Sequence, residues 1–294
     1  MAEELHGDRT VVVGIDGSAG SAAALQWAVD HADHLGSIVP TMAFVTGLYA
    51  YGFDPDDGSI DRGGPYRQEA VERLRTFLEE HDPSLVGAGS VIEGRAGAAL
   101  VDAAVRSELL VVGTHGWGSR VDVSIGSIGA YCARYSTVPV AVIPPVPPEI
   151  RDHLDVVVGF DGSVHATTAL RWALTHLRRT ATVFIVGAYA SGSVIGDPLS
   201  PSPESSGLAA GRELEDAVAP MLDELPAHPS VELVVAPGDP REVLRTAAAD
   251  ADVLIVGSRG HGVLEHLLLG SVASALVQHP TIPTIVVPHR HGPS

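Results

Sequence analysis

The chain has 294 residues, 45% of them apolar, which suits two cores of ordinary size better than one. It carries 36 Asp and Glu against 18 Lys and Arg, a formal net charge of -18, so it lacks the basic surface that a nucleic acid or an anionic membrane needs in a partner. All of those basic residues are arginines, which excludes the P-loop and Schiff-base chemistries that require lysine, and the lone Cys132 excludes an intrachain disulfide and a cysteine zinc site.

The chain begins Met-Ala-Glu-Glu-Leu-His, which is acidic and lacks the basic, then apolar, pattern of a secretory signal. No apolar run reaches the length of a membrane span, so a cytoplasmic, reducing environment is expected. Residues 11–15 form a short β-branched run, the pattern of a strand buried on both faces, closed by Gly14 and Asp16. Leu25, Ala28, Val29 and Ala32 then follow helical spacing. A second strand is predicted at 41–45, a Gly- and Asp-rich loop over 47–65 and a helix over 66–80. Three more strands are predicted at 91–92, 109–112 and 138–143, with helices over 97–106 and 127–135 between them. Five strands separated by helices imply a parallel, doubly wound, Rossmann-like sheet.

The same list then repeats. The segment Val11-Val12-Val13-Gly14-Ile15-Asp16-Gly17-Ser18 returns as Val156-Val157-Val158-Gly159-Phe160-Asp161-Gly162-Ser163, 145 residues on. Trp27-Ala28 returns as Trp172-Ala173, and Leu170, Ala173, Leu174 and Leu177 repeat the helical spacing. Val111-Val112-Gly113-Thr114-His115-Gly116 matches Ile255-Val256-Gly257-Ser258-Arg259-Gly260, and Val138-Pro139-Val140 pairs with Ile282-Pro283-Thr284. The chain is read as a duplicated α/β domain, 1–144 and 154–294, joined over 145–153. Pro144-Pro145-Val146-Pro147-Pro148 marks the junction, because proline continues neither a helix interior nor a ladder. The long polar loop of the second copy is expected over 192–206.

Ligands of such sheets bind at the carboxyl ends of strands, where strand order reverses. Asp16 and Asp161 close the first strand of each copy, and Gly113 and Gly257 close the fourth. Each fourth strand opens a loop with the spacing Gly-x-x-Gly, nine residues, Gly-Ser: Gly113, Gly116, Gly126 and Ser127, then Gly257, Gly260, Gly270 and Ser271. Glycines let backbone amides approach an anion closely, and each Ser stands where a helix begins, with free N–H groups and a favourable dipole. Arg259 adds a fixed charge for phosphate where the first copy has His115.

On these residues, both copies resemble the universal stress protein family, specifically its ATP-binding branch, over about residues 10–287. The resemblance implies tandem domains of the adenine nucleotide alpha hydrolase-like kind. It implies that Asp16 with Val45, and Asp161 with Ala188, approach adenine and ribose. Gly14, Gly113, Gly116, Gly126 and Ser127, with Gly159, Gly257, Gly260, Gly270 and Ser271, would hold ribose and phosphates. Mg²⁺ would accompany ATP without a dedicated carboxylate cage. The resemblance further implies an internal pseudo-dimer through the last strands, and a homodimer is open. The expected role is a nucleotide-dependent regulator of stress response or growth; a slow ATP hydrolase and a dimerising scaffold are the alternatives, since no positioned base or metal cluster stands out.

Against these stand plainer readings. Asp16 would also serve as a helix cap beside Gly-Ser, and the glycine loop as a tight turn. Trp27, Trp172 and Cys132 read as packing residues, and His289-Arg290-His291 as a solvated tail.

Overall fold

The computed structural model describes residues 9–46, 63–114, 127–146, 153–190, 202–225, 227–260 and 269–289. The chain divides into two units, Met1–Pro147 and Pro148–Ser294, and each repeats one order of elements. The first runs β1 (Thr10–Gly14), α1 (Ala19–Asp30), α2 (Ala32–Leu35), β2 (Ser37–Phe44), α3 (Gly63–His81), β3 (Ser90–Glu93), α4 (Ala96–Ala103), β4 (Leu109–Gly113), α5 (Ser127–Tyr135) and β5 (Val140–Ile143). The second runs β6 (Asp155–Gly159), α6 (Val164–His176), β7 (Thr182–Tyr189), α7 (Pro203–Glu224), β8 (Ser230–Pro237), α8 (Pro240–Ala247), β9 (Val253–Gly257), α9 (Ser271–Gln278) and β10 (Thr284–Val287).

All pairs described within a unit are parallel. They order the first sheet β3-β2-β1-β4-β5 and the second β8-β7-β6-β9-β10. The doubly wound parallel fold expected from strand–helix alternation is the one observed. The first and fourth strands of each unit are neighbours, which places the switch point of strand order between them. Burial explains their composition: Val11, Val12, Val13, Leu109, Leu110, Val111 and Val112, with Val156, Val157, Val158, Leu254, Ile255 and Val256, are all buried. Covered on both faces, they need no polar alternation.

Several boundaries differ from the sequence reading by a few residues: the helices expected over 66–80 and 97–106 are Gly63–His81 and Ala96–Ala103, and the strand over 138–143 is Val140–Ile143. β2 starts at Ser37, four residues before the expected 41, because Pro40 masks its first half. Pro40 is tolerated there since β3 pairs only from Thr41 onward, so no neighbour on that side asks for its missing N–H. In the second unit, α7 begins at Pro203, inside the stretch expected to be loop over 192–206. Ser202 caps it, accepting the Ser205 N–H at 3.1 Å, and proline suits the first helical turn; this polar stretch is a helix start.

The two faces of the second sheet are told apart by its glycines. A Cβ on Gly159 would meet Leu244 of α8, whereas one on Gly187 would approach Leu214 of α7. Gly159 pairs with Val186, so residue 187 points to the opposite face, and α7 and α8 cover opposite sides.

Candidate functional site

The turn after each first strand is built alike. The Asp161 carboxylate accepts the Ser163 N–H at 3.0 Å, as Asp16 accepts that of Ser18 at 2.9 Å. The glycine between them has positive φ, 78° at Gly162 and 84° at Gly17. The helix cap is the serine, not the aspartate: Ser163 Oγ accepts the Ala166 N–H at 3.1 Å and Ser18 Oγ that of Ser21 at 3.2 Å. The capping role open to Asp16 therefore falls to its neighbour. Each aspartate thus stands at the carboxyl end of the sheet with its Oδ1 on the turn.

The fourth-strand glycines answer to different constraints. A Cβ on Gly257 would lie 2.6 Å from the His165 carbonyl carbon, and one on Gly113 would lie 2.4 Å from the Gly20 oxygen. Both therefore admit the first turn of the helix after the first strand, α1 or α6, against the end of the fourth strand, a packing role. Gly159 and Gly14 likewise make room for Leu244 and Leu100. Gly260 differs, for its Cβ would come 2.5 Å from Asp161 Oδ2. That contact joins the first-strand turn to the fourth-strand loop across the switch point.

Beyond the loop, Gly270 donates its N–H to the Ser258 oxygen at 2.7 Å and serves as N-cap of α9. A glycine has no side chain with which to cap, and no side-chain cap bond is made there. Ser271, Val272 and Ala273 of the first turn line the cavity, and no N-cap side chain takes up their amides.

These pieces enclose one cavity of about 200 Å³ in the second unit. Its lining includes Gly159, Asp161, Ala188, Gly257, Arg259, Gly260, Gly270 and Ser271, every candidate of that unit. The polar wall is Asp161, Arg259 and Ser271; the remainder is apolar or glycine. Sequence reasoning missed Pro240 and Leu244 of α8, Val186 of β7, and Phe160. The α8 pair had a signal, since Asp239-Pro240 is a helix start. Asp239 accepts the Arg241 N–H at 2.8 Å, and the Arg241 guanidinium beside it holds its carboxyl well below the usual carboxylate range.

The first unit is described in part. Gly14, Asp16 and Gly113 stand as their counterparts do, while Gly116 and Gly126 lie outside the described residues. Ser127 opens α5 as Ser271 opens α9. Val45 and Ala188 are not on equivalent rungs. Gly14 pairs with Thr41 and Gly159 with Val186, so Ala188 corresponds to Ala43, and Val45 lies beyond β2, 45% exposed.

Of the plainer readings, Cys132 is buried, and burial pushes its thiol up to about 12. Trp27 is buried and stacks on His31 at 4.4 Å, as Trp172 stacks on His176 at 4.9 Å. The tail reading fails at His289. It shares a 3.0 Å hydrogen bond with Thr168 and meets the His165 ring edge-on at 5.3 Å, while His165 shares a 3.0 Å hydrogen bond with Ser258. No group of three or more His, Cys, Asp or Glu capable of holding a metal occurs among the described residues, and no helix among them is long and apolar enough to cross a membrane.

A family model described as the universal stress protein family matches residues 8–144 and again 154–288. The chain is 28% identical over 301 residues to the universal stress protein Rv1996 of Mycobacterium tuberculosis, covering 94% of each chain. It is 25% identical over 291 residues to a universal stress protein of Mycolicibacterium smegmatis, covering 95% of this chain and 97% of that one. A universal stress protein structure from Archaeoglobus fulgidus superposes with a TM-score of 0.65 at 18% identity, over 95% of this chain and 98% of that one, which speaks for the fold.

Proposed function

Because the chain belongs to the universal stress protein family through both of its halves, we propose that it is an ATP-binding regulator whose second unit carries the stronger nucleotide site. The observation that supports this reading is the convergence of all the second-unit candidates on one cavity at the switch point. Phosphates suit the end where Gly260 and the first turn of α9 line the cavity beside Arg259, since the start of a helix carries amides without intrahelical partners. Adenine suits the apolar end between Val186, Pro240 and Leu244, with Asp161 and the β7 backbone at Ala188 beside it. The first unit repeats the Asp16 turn and would take a second nucleotide with less fixed charge, having His115 in place of Arg259.

Mg²⁺ fits as a companion of the phosphates. Asp161 is the one carboxylate lining the cavity, too little for a protein-built cage, so phosphate oxygens and water would supply most of the ligands. In this reading the described lining residues bind and orient the nucleotide. The regulatory output would be a change of conformation or partner with nucleotide occupancy.

The test is to denature freshly purified protein, identify released nucleotide by chromatography, and titrate the stripped protein with ATP by calorimetry. About one tight site, weakened roughly tenfold or more in Arg259→Ala, is the expected result. No released nucleotide and no heat would overturn the reading.

A further inference from the structure

β8 is the outer strand of the second sheet, and among the described residues it pairs with β7 alone, from Ser230 on Thr182 to Pro237 on Tyr189 without a break in register. Two hydrogen bonds fix the phase of that ladder. The Gly238 N–H, one residue past β8, donates to the Tyr189 oxygen at 3.0 Å, and the Phe160 N–H donates to the Val186 oxygen at 2.9 Å. The odd-numbered residues of β7 therefore turn to β8 and the even-numbered ones to β6. Because the N–H and C=O of one residue point the same way and alternate along a strand, those of Glu232, Val234 and Ala236 turn to β7. Those of Val231, Leu233 and Val235 turn outward, to the open edge. Pro237 falls in the same outward phase, where a proline breaks no bond to β7.

This edge lacks the usual guards. Proteins blunt an outer strand by keeping it short, by bulges, or by placing lysine or proline along it. β8 is eight residues long and keeps a regular register, and its one proline is its last residue, whereas β3, the outer strand of the first unit, has four residues. Gly94 follows β3 as Gly238 follows β8, so the first half of β8 corresponds to Val86-Gly87-Ala88-Gly89, which form no strand. The fold closes in the first unit without that half. In the second unit it is present and exposed, Leu233 by 41% and Val234 by 38%.

Side chains alternate as the backbone does. Val231, Leu233 and Val235 lie on the α7 face, since a Cβ on Gly211 of α7 would stand 3.9 Å from Val235, and Glu232 and Val234 lie on the other. Against an antiparallel neighbour, the outward-turned residues form the hydrogen-bonded pairs. Glu232 and Val234 then form the intervening pairs, where side chains come closest. Glu232 is the one charged residue of the strand, so a cation opposite it is favoured and an anion opposed. A second copy would bring a net charge of -18 to an edge of the same sign. We propose that the open edge of β8 is a strand-addition site for an extended, β-branched segment of another protein, running antiparallel to β8 with a lysine or arginine across from Glu232.

The proposal is independent of the nucleotide reading. The acetylated and amidated peptide Lys-Val-Thr-Val-Lys-Val-Thr, whose second lysine faces Glu232 when its central valine faces Leu233, is titrated into the full chain by calorimetry, with amide hydrogen exchange followed by NMR. It should bind saturably, and the amides of Val231, Leu233 and Val235, which exchange faster than those of Glu232, Val234 and Ala236 in the free chain, should become protected. N-methylation of the central valine removes the N–H opposite Leu233 and should abolish binding. Glutamate in place of the second lysine should weaken binding roughly tenfold, and Glu232→Lys should restore the glutamate peptide. Leu233→Pro removes an outward donor without touching a bond to β7 and should abolish peptide binding. Neither residue lines the nucleotide cavity, so ATP titration of the same variants reports whether the unit is intact. Should Leu233→Pro fold poorly, the N-methylated peptide and the charge exchange decide the matter. No saturable binding, undiminished binding of the N-methylated peptide, or equal affinity for the lysine and glutamate peptides would overturn the proposal. So would a dimer of the free chain that Leu233→Pro dissolves, for then the edge belongs to a second copy. ATP binding without peptide binding fails this inference alone, and peptide binding without ATP binding fails the nucleotide reading alone.

Discussion

The two halves share strand order, turn geometry and the serine cap after the first strand, yet at matched positions they carry different chemistry. Where Asp239 and Pro240 start α8, the first unit starts α4 with Arg95 and Ala96, and Arg95 makes no side-chain cap bond. Gly238 and Gly94, which precede them, both have positive φ, 134° and 140°, so the backbone is conserved while the cap is not. His165 stands where the first unit has Gly20, Gly187 where it has Met42, and Leu276 where it has Cys132. Duplication has kept the backbone-shaping glycines and the Asp-Gly-Ser turn, and varied single positions around them, such as His115 against Arg259.

The largest expected effect tests the shared part. Gly113→Ala and Gly257→Ala each force a Cβ into the backbone of the helix after the first strand, α1 or α6, which cannot swing aside. Each should destabilise its own unit by about 1–3 kcal/mol, read by chemical denaturation, with the two changes alike. Gly260→Ala meets only the end of the Asp161 side chain, so it should leave stability nearly unchanged and weaken nucleotide binding instead. A stability loss at Gly260 matching that at Gly257 would erase the distinction between a packing glycine and a ligand glycine.

Next in size is the charge that separates the two loops. Arg259→Ala should weaken ATP at the second unit roughly tenfold or more, at unchanged thermal stability of the stripped protein. Calorimetric isotherms of the variant and the parent that superimpose would remove the asymmetry between the sites.

A smaller effect belongs to the α8 start. Asp239 is held below its ordinary value of 3.8 by Arg241, so it stabilises the folded unit above that pH and ceases to as pH falls through its folded value. Asp239→Asn should narrow the stability difference between parent and variant as acid is added below about pH 4. A gap that is constant with pH would mean the ion pair adds nothing at this exposed site.

The smallest concerns the buried thiol. Cys132 ionises in the folded chain only near about 12, against an ordinary 9.0, so its contribution is intact below pH 9 and is lost as pH rises through 12. Folded protein should resist iodoacetamide at pH 8 and react after denaturation, and Cys132→Leu should flatten the alkaline decline. Rapid alkylation of the folded chain would refute the burial argument.

Much of the molecule was legible in the residues themselves. Val11 to Val13 and Val156 to Val158 announce buried strands because strand burial on two faces requires apolar runs. Asp-Gly-Ser announces a turn followed by a capped helix because positive φ and a serine oxygen are local needs. The repeat announced a duplicated fold, and the glycine spacing named residues that line one cavity of the second unit. Tertiary structure alone decided that Gly257 is a glycine for helix packing and Gly260 for Asp161, and that Leu244 and Val186 wall the same cavity. These properties depend on which atoms face each other across the sheet, such as Asp161 and Gly260, and no pattern along the chain encodes distances between residues so far apart in it.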